Sequence, residues 1–559
     1  MKVNFCTSVL PFGLVICGAA LAQTPPSGGL IQQEIERQQA PRATQPAPVI
    51  RIEQDARPDT EVVDQQKILV TTLNISGAQV YSDAVLIALT GFDAPREQTL
   101  GELRAMAAKI TRHYRENGYF VAQAYLPAQD VKDGALTIAV LEGRFGDISL
   151  QNSSGVSDGL ANGLLDGVRG GDTVAIAPLE RSILLLSDLP GVNVTSTLVP
   201  GASVGASDLI VELTPGPHVA GSIDADNHGS RYSGENRLGG ALYINNPTGH
   251  GDLISVRALT SDAGLHYGRI AYQAQIGSAR AGLAYSYMQY RLGKEFDSLE
   301  ASGTVSIASV YGSYPLIRSR RHNLTALINL DAKTFRDRVD ATDTVADKKA
   351  QVAMLSLSGD VRDSIGGGGQ TAFGATWSAG RLDLQDPGVV VADAATARSN
   401  GHYHKLSVHA MRLQGVTDTL SLYAAFNGQV ASKNLDNSEK LGLGGSAGVR
   451  AYPTGEAYGD QGCILNLEAR AQLPKFSAAV PGQMQVIGFV DTGSVMQNKN
   501  VWAAGPNRRT LSGFGIGFNW IASSNFVVKA SLARKLGSAA ATSAPDAGSR
   551  FWLQAVRYF

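Results

Sequence analysis

From residue 217 onward the chain settles into segments of about ten residues in which apolar and polar positions alternate. Residues 464–473 display this most clearly: Leu465, Leu467, Ala469, Ala471 and Leu473 fall on one face, and Asn466, Glu468, Arg470 and Gln472 on the other. A period of two turns successive side chains to opposite sides of a strand, and a strand with one apolar and one strongly polar face suits a wall between lipid and a wet lumen. Leu420, Leu422, Ala424 and Phe426 alternate in the same way against Ser421, Tyr423, Ala425 and Asn427, as do Ile254, Val256 and Ala258 against Ser255 and Arg257. About 16 such segments can be marked out, an even number as bacterial barrels require. Short connections at 246–252, 276–280, 364–369, 414–418 and 521–525 alternate with long ones at 291–300, 336–348, 382–400, 497–509 and 536–549. The expectation is a transmembrane β-barrel over 217–559, with short periplasmic turns, long external loops and both ends of the barrel chain on the periplasmic side. The terminal aromatic Phe559 shares a face with Leu553 and Ala555, while Arg557 on that face has to snorkel to the headgroups.

Ahead of the barrel the pattern changes to mixed strand and helix. Residues 67–146 read as strand, helix, helix, strand, strand, with Leu103, Ala107, Ile110 and Tyr114 on one helix face. A shorter version follows over 147–216, so two small α+β modules in tandem are expected. Upstream, Leu30, Ile31, Glu34 and Ile35 stand at helical spacing within 23–40, before a proline-rich stretch that opens a linker at 41–66. This is either a short mobile helix on a flexible tether or a disordered tail, because an isolated helix of that length is marginal in water. Residues 1–22 carry Lys2, an apolar run and the small-residue site Ala20-Leu21-Ala22, the pattern of a cleaved secretion signal.

Composition narrows the classes. A net charge of −1 with both signs interspersed gives no reason to expect nucleic acid as a partner. Of the 3 cysteines, Cys6 and Cys17 sit in the signal, which leaves Cys463 and no intramolecular disulfide. Gly444-Gly445-Ser446-Ala447-Gly448 matches a nucleophile-elbow string without its strand-to-helix context, and Asp491-Thr492-Gly493 lacks the second copy that aspartic-protease chemistry needs. Asp224, Asp226, Gly229 and Glu235 approach a calcium-loop spacing, but His228 occupies a ligand position; His402 and His404 have no third ligand near them. Neither a catalytic cluster, a metal site nor a cofactor is expected.

The segment Val449-Arg450-Ala451-Tyr452, followed by Tyr458-Gly459-Asp460, carries the candidate chemistry. A guanidinium inside a barrel is desolvated unless it meets an anion, and Phe489 and Asp491 share the inward parity of their strand, with Gly493 next on that face. A loop over 430–462 folded into the lumen, with Arg450 locked on Asp491 and Glu468 as a second carboxylate, is the expectation. The alternative is that Arg450 sits in a solvated external loop. The basic run Arg318, Arg320, Arg321 and His322, on a periplasmic turn, reads as a headgroup-facing cluster or, alternatively, a client contact.

Taken with Asn117-Gly118-Tyr119, Tyr125-Leu126-Pro127-Ala128-Gln129 and Leu141-Glu142-Gly143, and with Asp226-Asn227-His228-Gly229-Ser230-Arg231 and Gly251-Asp252, these motifs resemble the two-partner secretion transporters of the outer membrane. Ala451 stands where that family has glycine. The resemblance implies a plug helix, a linker, two polypeptide-transport-associated (POTRA) domains in the periplasm and a 16-stranded barrel. It also implies export, without ATP, of an unfolded secreted client of adhesin or cytolysin type. Outer-membrane lipids, periplasmic chaperones and the barrel-assembly machinery are the other expected partners. The 120–126 segment is a candidate docking edge, with Tyr119, Phe120 and Tyr125 either contacting the client or packing the small domain. A barrel-assembly insertase, a passive porin and an outer-membrane enzyme are the competing classes.

Overall fold

The computed structural model describes residues 25–37, 48–52, 67–475, 477, 480–522 and 525–559. The expected secretion signal lies outside them, as do 38–47 and 53–66.

Hydrocarbon offers no partner to a backbone N–H or C=O, so a spanning sheet has to close on itself. Here 16 antiparallel strands do so, from Val219–Asp226 to Ser549–Tyr558. Closure runs from Ser222 opposite Tyr558 to Asp226 opposite Gln554. Leu283, Val310, Ile328, Leu355 and Leu467 point out and are exposed, as lipid-facing side chains should be. Their neighbours point inward and satisfy one another: Ser309 donates to Asp331 at 2.7 Å, and the hydroxyls of Ser356 and Thr376 lie 2.9 Å apart. No helix among the described residues is long and apolar enough to cross a membrane.

Two external connections differ from expectation. The 336–348 stretch is mostly strand: His322–Val339 and Thr344–Asp363 continue outward with Arg336 opposite Asp347, leaving a turn around Asp340–Thr342. The polar alternation there continues the ladder beyond the apolar belt. Within 382–400 a helix, Pro387–Ala395, is set by Pro387 and by Asp386, whose carboxylate caps the Val389 N–H at 3.0 Å.

Both modules are α+β. The first builds its core on the helix Leu100–Glu116, which starts with a Thr99/Glu102 capping box and buries Leu103, Met106, Ala107, Ile110 and Tyr114. Donation by the Thr99 backbone holds the Glu102 carboxyl below its ordinary range. Glu142, from the Leu141-Glu142-Gly143 motif, accepts from the backbone of Gln79 (2.6 Å) and Val80 (2.7 Å) and from the Tyr114 hydroxyl (2.8 Å). Burial, then that carboxylate, pushes the Tyr114 phenol well up. The motif therefore ties loop, helix and sheet together. In its three-stranded sheet, ordered Thr72–Ser76, Ala135–Leu141, Gln123–Tyr125, the last strand is an edge. A further strand, Arg96–Thr99, which the sequence pattern did not suggest, pairs with Lys67–Val70.

The second module holds a correction to the linker. Val49–Ile52 is a strand, laid parallel on Val192–Pro200 as the outer member of a four-stranded sheet. Four residues flanked by proline carry too little alternation to announce a strand.

The basic run at 318–322 is also corrected. Arg318 grips both oxygens of Asp188 in the second module at 2.8 and 2.7 Å, and the Arg320 N–H donates to Glu180 at 2.8 Å. Arg280 donates to the Asp188 carbonyl at 2.8 Å, and Arg181 returns the contact by donating to the Pro315 carbonyl at 3.1 Å. Arg318 and Arg320 thus clamp a periplasmic domain to the barrel mouth instead of facing lipid headgroups. Because the Arg318–Asp188 pair is partly solvated, Asp188→Ala should cost only ~1 kcal/mol of docking energy. Spin labels at Asn162 and Val416 should then give a broadened distance distribution, with heat-modifiable gel mobility of the barrel unchanged.

Candidate functional site

The strands Leu420–Ala431 and Gln461–Gln472 are neighbours in the barrel, yet 29 residues, 432–460, separate them and fold back into the lumen. Leu441–Gly442 and Tyr458–Gly459 pair as the arms of this loop, and glycine is needed at Gly459 because a Cβ there would press on the Met496 carbonyl. At the tip Arg450 meets the wall. Its Nε and Nη2 donate to the two oxygens of Asp491, each at 2.8 Å, its own N–H donates to the same carboxylate at 3.1 Å, and Nη1 donates to Glu468 at 2.8 Å. Beneath, the guanidinium lies 3.5 Å from the centroid of the Phe489 ring. Glu468 is shared with Arg470 at 2.7 Å, and Asn466 donates to both Asp491 (2.8 Å) and the Gly448 carbonyl (2.9 Å). Asp491 has no exposed side-chain surface.

Strand parity explains the assembly. Asn466 faces Asp491 and Glu468 faces Phe489 across one ladder, so inward positions two residues apart present carboxylate, ring and amide together. On the other side Asp491 and Phe489 stand opposite Gly513 and Gly515. A Cβ at Gly513 would run into that of Ala451, and one at Gly515 into the Phe489 ring. Ala451 is not among the residues with positive φ, so alanine is accommodated there without backbone strain. Val449, Ala451 and Tyr452 are fully buried with Leu443, Ile464, Leu511 and Ala533, and Gly493 brings the wall within contact of Leu443.

Further ties hold the loop. The Arg450 carbonyl accepts from the Trp552 indole at 2.7 Å, Thr454 donates to the His228 carbonyl at 3.0 Å, and the Tyr452 hydroxyl donates to the Ala539 carbonyl at 2.9 Å. Asp460 accepts from the N–H groups of Leu435 (3.0 Å) and Lys499 (2.7 Å). Glu456, which the sequence did not single out, is completely buried; it accepts from the N–H groups of Thr542 and Ser543, both at 2.8 Å, and pairs with Arg509. It also accepts from the Thr542 and Ser543 hydroxyls, at 2.9 and 2.8 Å, so its partners come from a loop more than 80 residues away and from the Arg509 strand. Asp224 and Asp226, weighed as calcium ligands, are held by Arg257 and Arg237. His228 packs edge-on against Trp552, and burial pushes it down to about 4 against the pull of Asp226.

The other candidates separate. Tyr119 packs edge-on against Tyr81 and Tyr114 in the first module, Phe120 packs against the core of the second, and Tyr125 alone is an exposed side chain on the edge strand.

A closed barrel holding an arginine-bearing loop on its inner wall, with POTRA-like modules clamped to one mouth, defines an outer-membrane polypeptide-transport barrel. Residues 205–520 match the family described as haemolysin secretion/activation protein ShlB/FhaC/HecB, and residues 68–143 match the ShlB-type POTRA domain. The chain belongs to this haemolysin secretion/activation family. It is 27% identical over its whole length to a heme/hemopexin transporter, HuxB, of Haemophilus influenzae, covering 99% of that protein. The outer membrane transporter CdiB of Dickeya dadantii is 24% identical over 74% of this chain and 73% of its own. The solved structure of CdiB from Escherichia coli superposes with a TM-score of 0.71 at 20% identity, covering 90% of this chain and 93% of that one. The protein is an outer-membrane two-partner secretion transporter with its POTRA domains in the periplasm.

Gly513→Ala should lift the loop tip off the wall without touching a charge, and Arg450→Lys should do the same because an ammonium cannot span both carboxylates. Leaving either side of the buried pair unmatched costs roughly 3–5 kcal/mol. Fluorescence of Trp552 in a background with Trp377, Trp502 and Trp520 replaced by Phe should report both.

The tip contact should also weaken in acid. His228 is held neutral in the fold and takes a proton near 6.5 when released, so its contribution is present above that pH and is lost as pH falls toward about 4. The Trp552 signal should drift over that window, and His228→Gln should flatten its share of the drift.

Proposed function

We propose that the inward loop is the gate of the secretion path, held at rest by Arg450 on Asp491 and Glu468, with Val449, Tyr452, Gly459, Asp460, Phe489 and Gly493 shaping its seat. The observation that carries this reading is the grip on Arg450 inside the lumen, three hydrogen bonds from its guanidinium and one from its backbone N–H. Such a desolvated grip fixes a loop in one place, and a loop of this length spans the pore it would have to clear. The plug helix, Gly28–Arg37, leaves the barrel as the client enters.

The domain limits that fit this reading are 67–146 and 147–216 for the POTRA domains and 217–559 for the barrel. The client is an unfolded secreted exoprotein of adhesin or cytolysin type, and the likeness to a heme/hemopexin transporter makes a client serving heme or hemopexin transport the first to test. It adds a strand to the exposed edge Gln123–Tyr125, with Tyr125 as the apolar contact; main-chain pairing supplies affinity there. Tyr119 and Phe120 support that edge from within the domains. The periplasm holds no ATP, so threading draws on the client's folding outside. The chain carries no catalytic role. Its own delivery engages periplasmic chaperones and the barrel-assembly machinery, and its apolar belt engages outer-membrane lipids.

Secretion of the client should fall by at least about tenfold for Arg450→Ala and for deletion of residues 67–146, with assembled barrels in both; a tenfold loss corresponds to about 1.4 kcal/mol. Tyr125→Asp should weaken client binding without altering pore conductance. Undiminished secretion in Arg450→Ala would remove the gate reading, and undiminished secretion in the deletion would remove the docking reading.

A further inference from the structure

The base of the inward loop holds a second set of charges, on the side of the lumen away from Arg450. A short turn, Asn437–Glu439, carries the buried Glu439 and is capped by the partly buried Asp436, and lysines from three wall strands converge on the two carboxylates. Glu439 meets Lys333 at 2.8 Å and Lys405 at 2.6 Å, while Asp436 meets Lys348 at 2.9 Å. Asp436 also accepts from the N–H and hydroxyl of Ser438 at 3.0 and 2.7 Å, which fixes the turn between the two pairs. Among the described contacts, Arg450, Asp491 and Glu468 share no hydrogen bond or ion pair with these residues, so the two sets of charges hold the loop at separate places.

What rests on the turn is the N-terminal helix Gly28–Arg37. Its Gly29 backbone lies so close that a Cβ would collide with Ser438, and a Cβ at Gly28 would press on Val305 and Tyr290. Leu30, Ile31 and Ile35 are buried, the last two against Leu435 and Phe335. The Gly28 N–H donates to Asp337 at 3.3 Å, an oxygen that Tyr290 also engages at 2.6 Å. At the other end Arg37 donates to the Gly442 carbonyl at 2.9 Å, and Tyr458 donates to Glu34. The helix therefore bridges the barrel wall and both arms of the loop, with its closest approach at Ser438.

The geometry points to a plug seat: the turn 436–439 is a rigid shelf, braced by Lys333, Lys348 and Lys405, that sets how firmly the plug helix is held, separately from the Arg450 lock at the loop tip. Asp436 and Glu439 are positioning residues for the gating step. Neutralising one loosens the shelf and releases the helix while the tip stays on the wall. The inference goes beyond the gate reading, because it can hold whether or not the tip lock governs secretion.

Planar-bilayer conductance of the full-length protein tests it, with deletion of residues 25–37 as the unplugged reference. Glu439→Gln and Gly29→Ala should each raise the time spent in the unplugged conducting level about tenfold, with the Trp552 signal of the tip unchanged. Should Glu439→Gln fail to assemble, Lys348→Met is the second charge variant, and Gly29→Ala alters only the helix. Wild-type conductance in assembled Gly29→Ala together with an assembled charge variant would overturn the seat. A Trp552 shift in Glu439→Gln equal to that of Arg450→Lys would also overturn it, since the cluster would then belong to the tip lock.

Discussion

Every residue of a lipid-embedded strand has to find its backbone partner in another strand, and closing the ladder on itself is how this chain meets that requirement. The closure creates a second problem. The inner face is sheltered from bulk water by the loop and helix within it, so every charge placed there needs a mate. Arg450, Asp491, Glu468 and Arg470 answer one another on one side, and Lys333, Lys405 and Glu439 on another. Buried pairs of this kind add little net stability compared with an apolar filling, but breaking one is costly. They therefore specify position. The loop has a defined place in the lumen because Arg450, Glu439, Asp436 and Glu456 each meet a charged partner fixed on a wall strand there.

Glycine does the complementary work of letting surfaces approach. Gly513 and Gly515 open the wall beneath Ala451 and Phe489, and Gly28 and Gly29 let a helix backbone rest on side chains. Each contact would be lost to a single methyl group. The inward loop and the N-terminal helix thus rely on close fit as much as on charge, which is why the same site can be probed by variants that leave every ion pair in place.

The barrel was legible in the sequence because lipid imposes strict alternation on one face, as at Leu465, Leu467 and Ala469, whatever the other face carries. The pairing of Arg450 with Asp491 was legible for a similar reason: inward parity put Phe489 and Asp491 on one side, and a lumenal arginine has few acceptable mates. The clamp was not. Arg318 looks the same in sequence whether it meets a headgroup or Asp188, and the partner lies 130 residues away. The strand Val49–Ile52 is four residues of pairing decided by a neighbouring sheet edge, with no periodicity of its own to read. Glu456 escaped because its partners, Thr542, Ser543 and Arg509, come from distant segments with no pattern linking them to it. Tertiary partners decided these cases, and local pattern does not encode them.

The tip lock has one more property, visible when its charges are added. Closed, two arginines and two carboxylates cancel. Were Arg450 to leave, the wall would keep Asp491, Glu468 and Arg470, a net charge of −1 facing the +1 of the departing guanidinium. Such a movement would separate unlike charges inside a cavity where screening is weaker than in bulk water, and the attraction between them would grow as the guanidinium returned. On the proposed gating, that attraction acts as a restoring force that draws the guanidinium back to the wall.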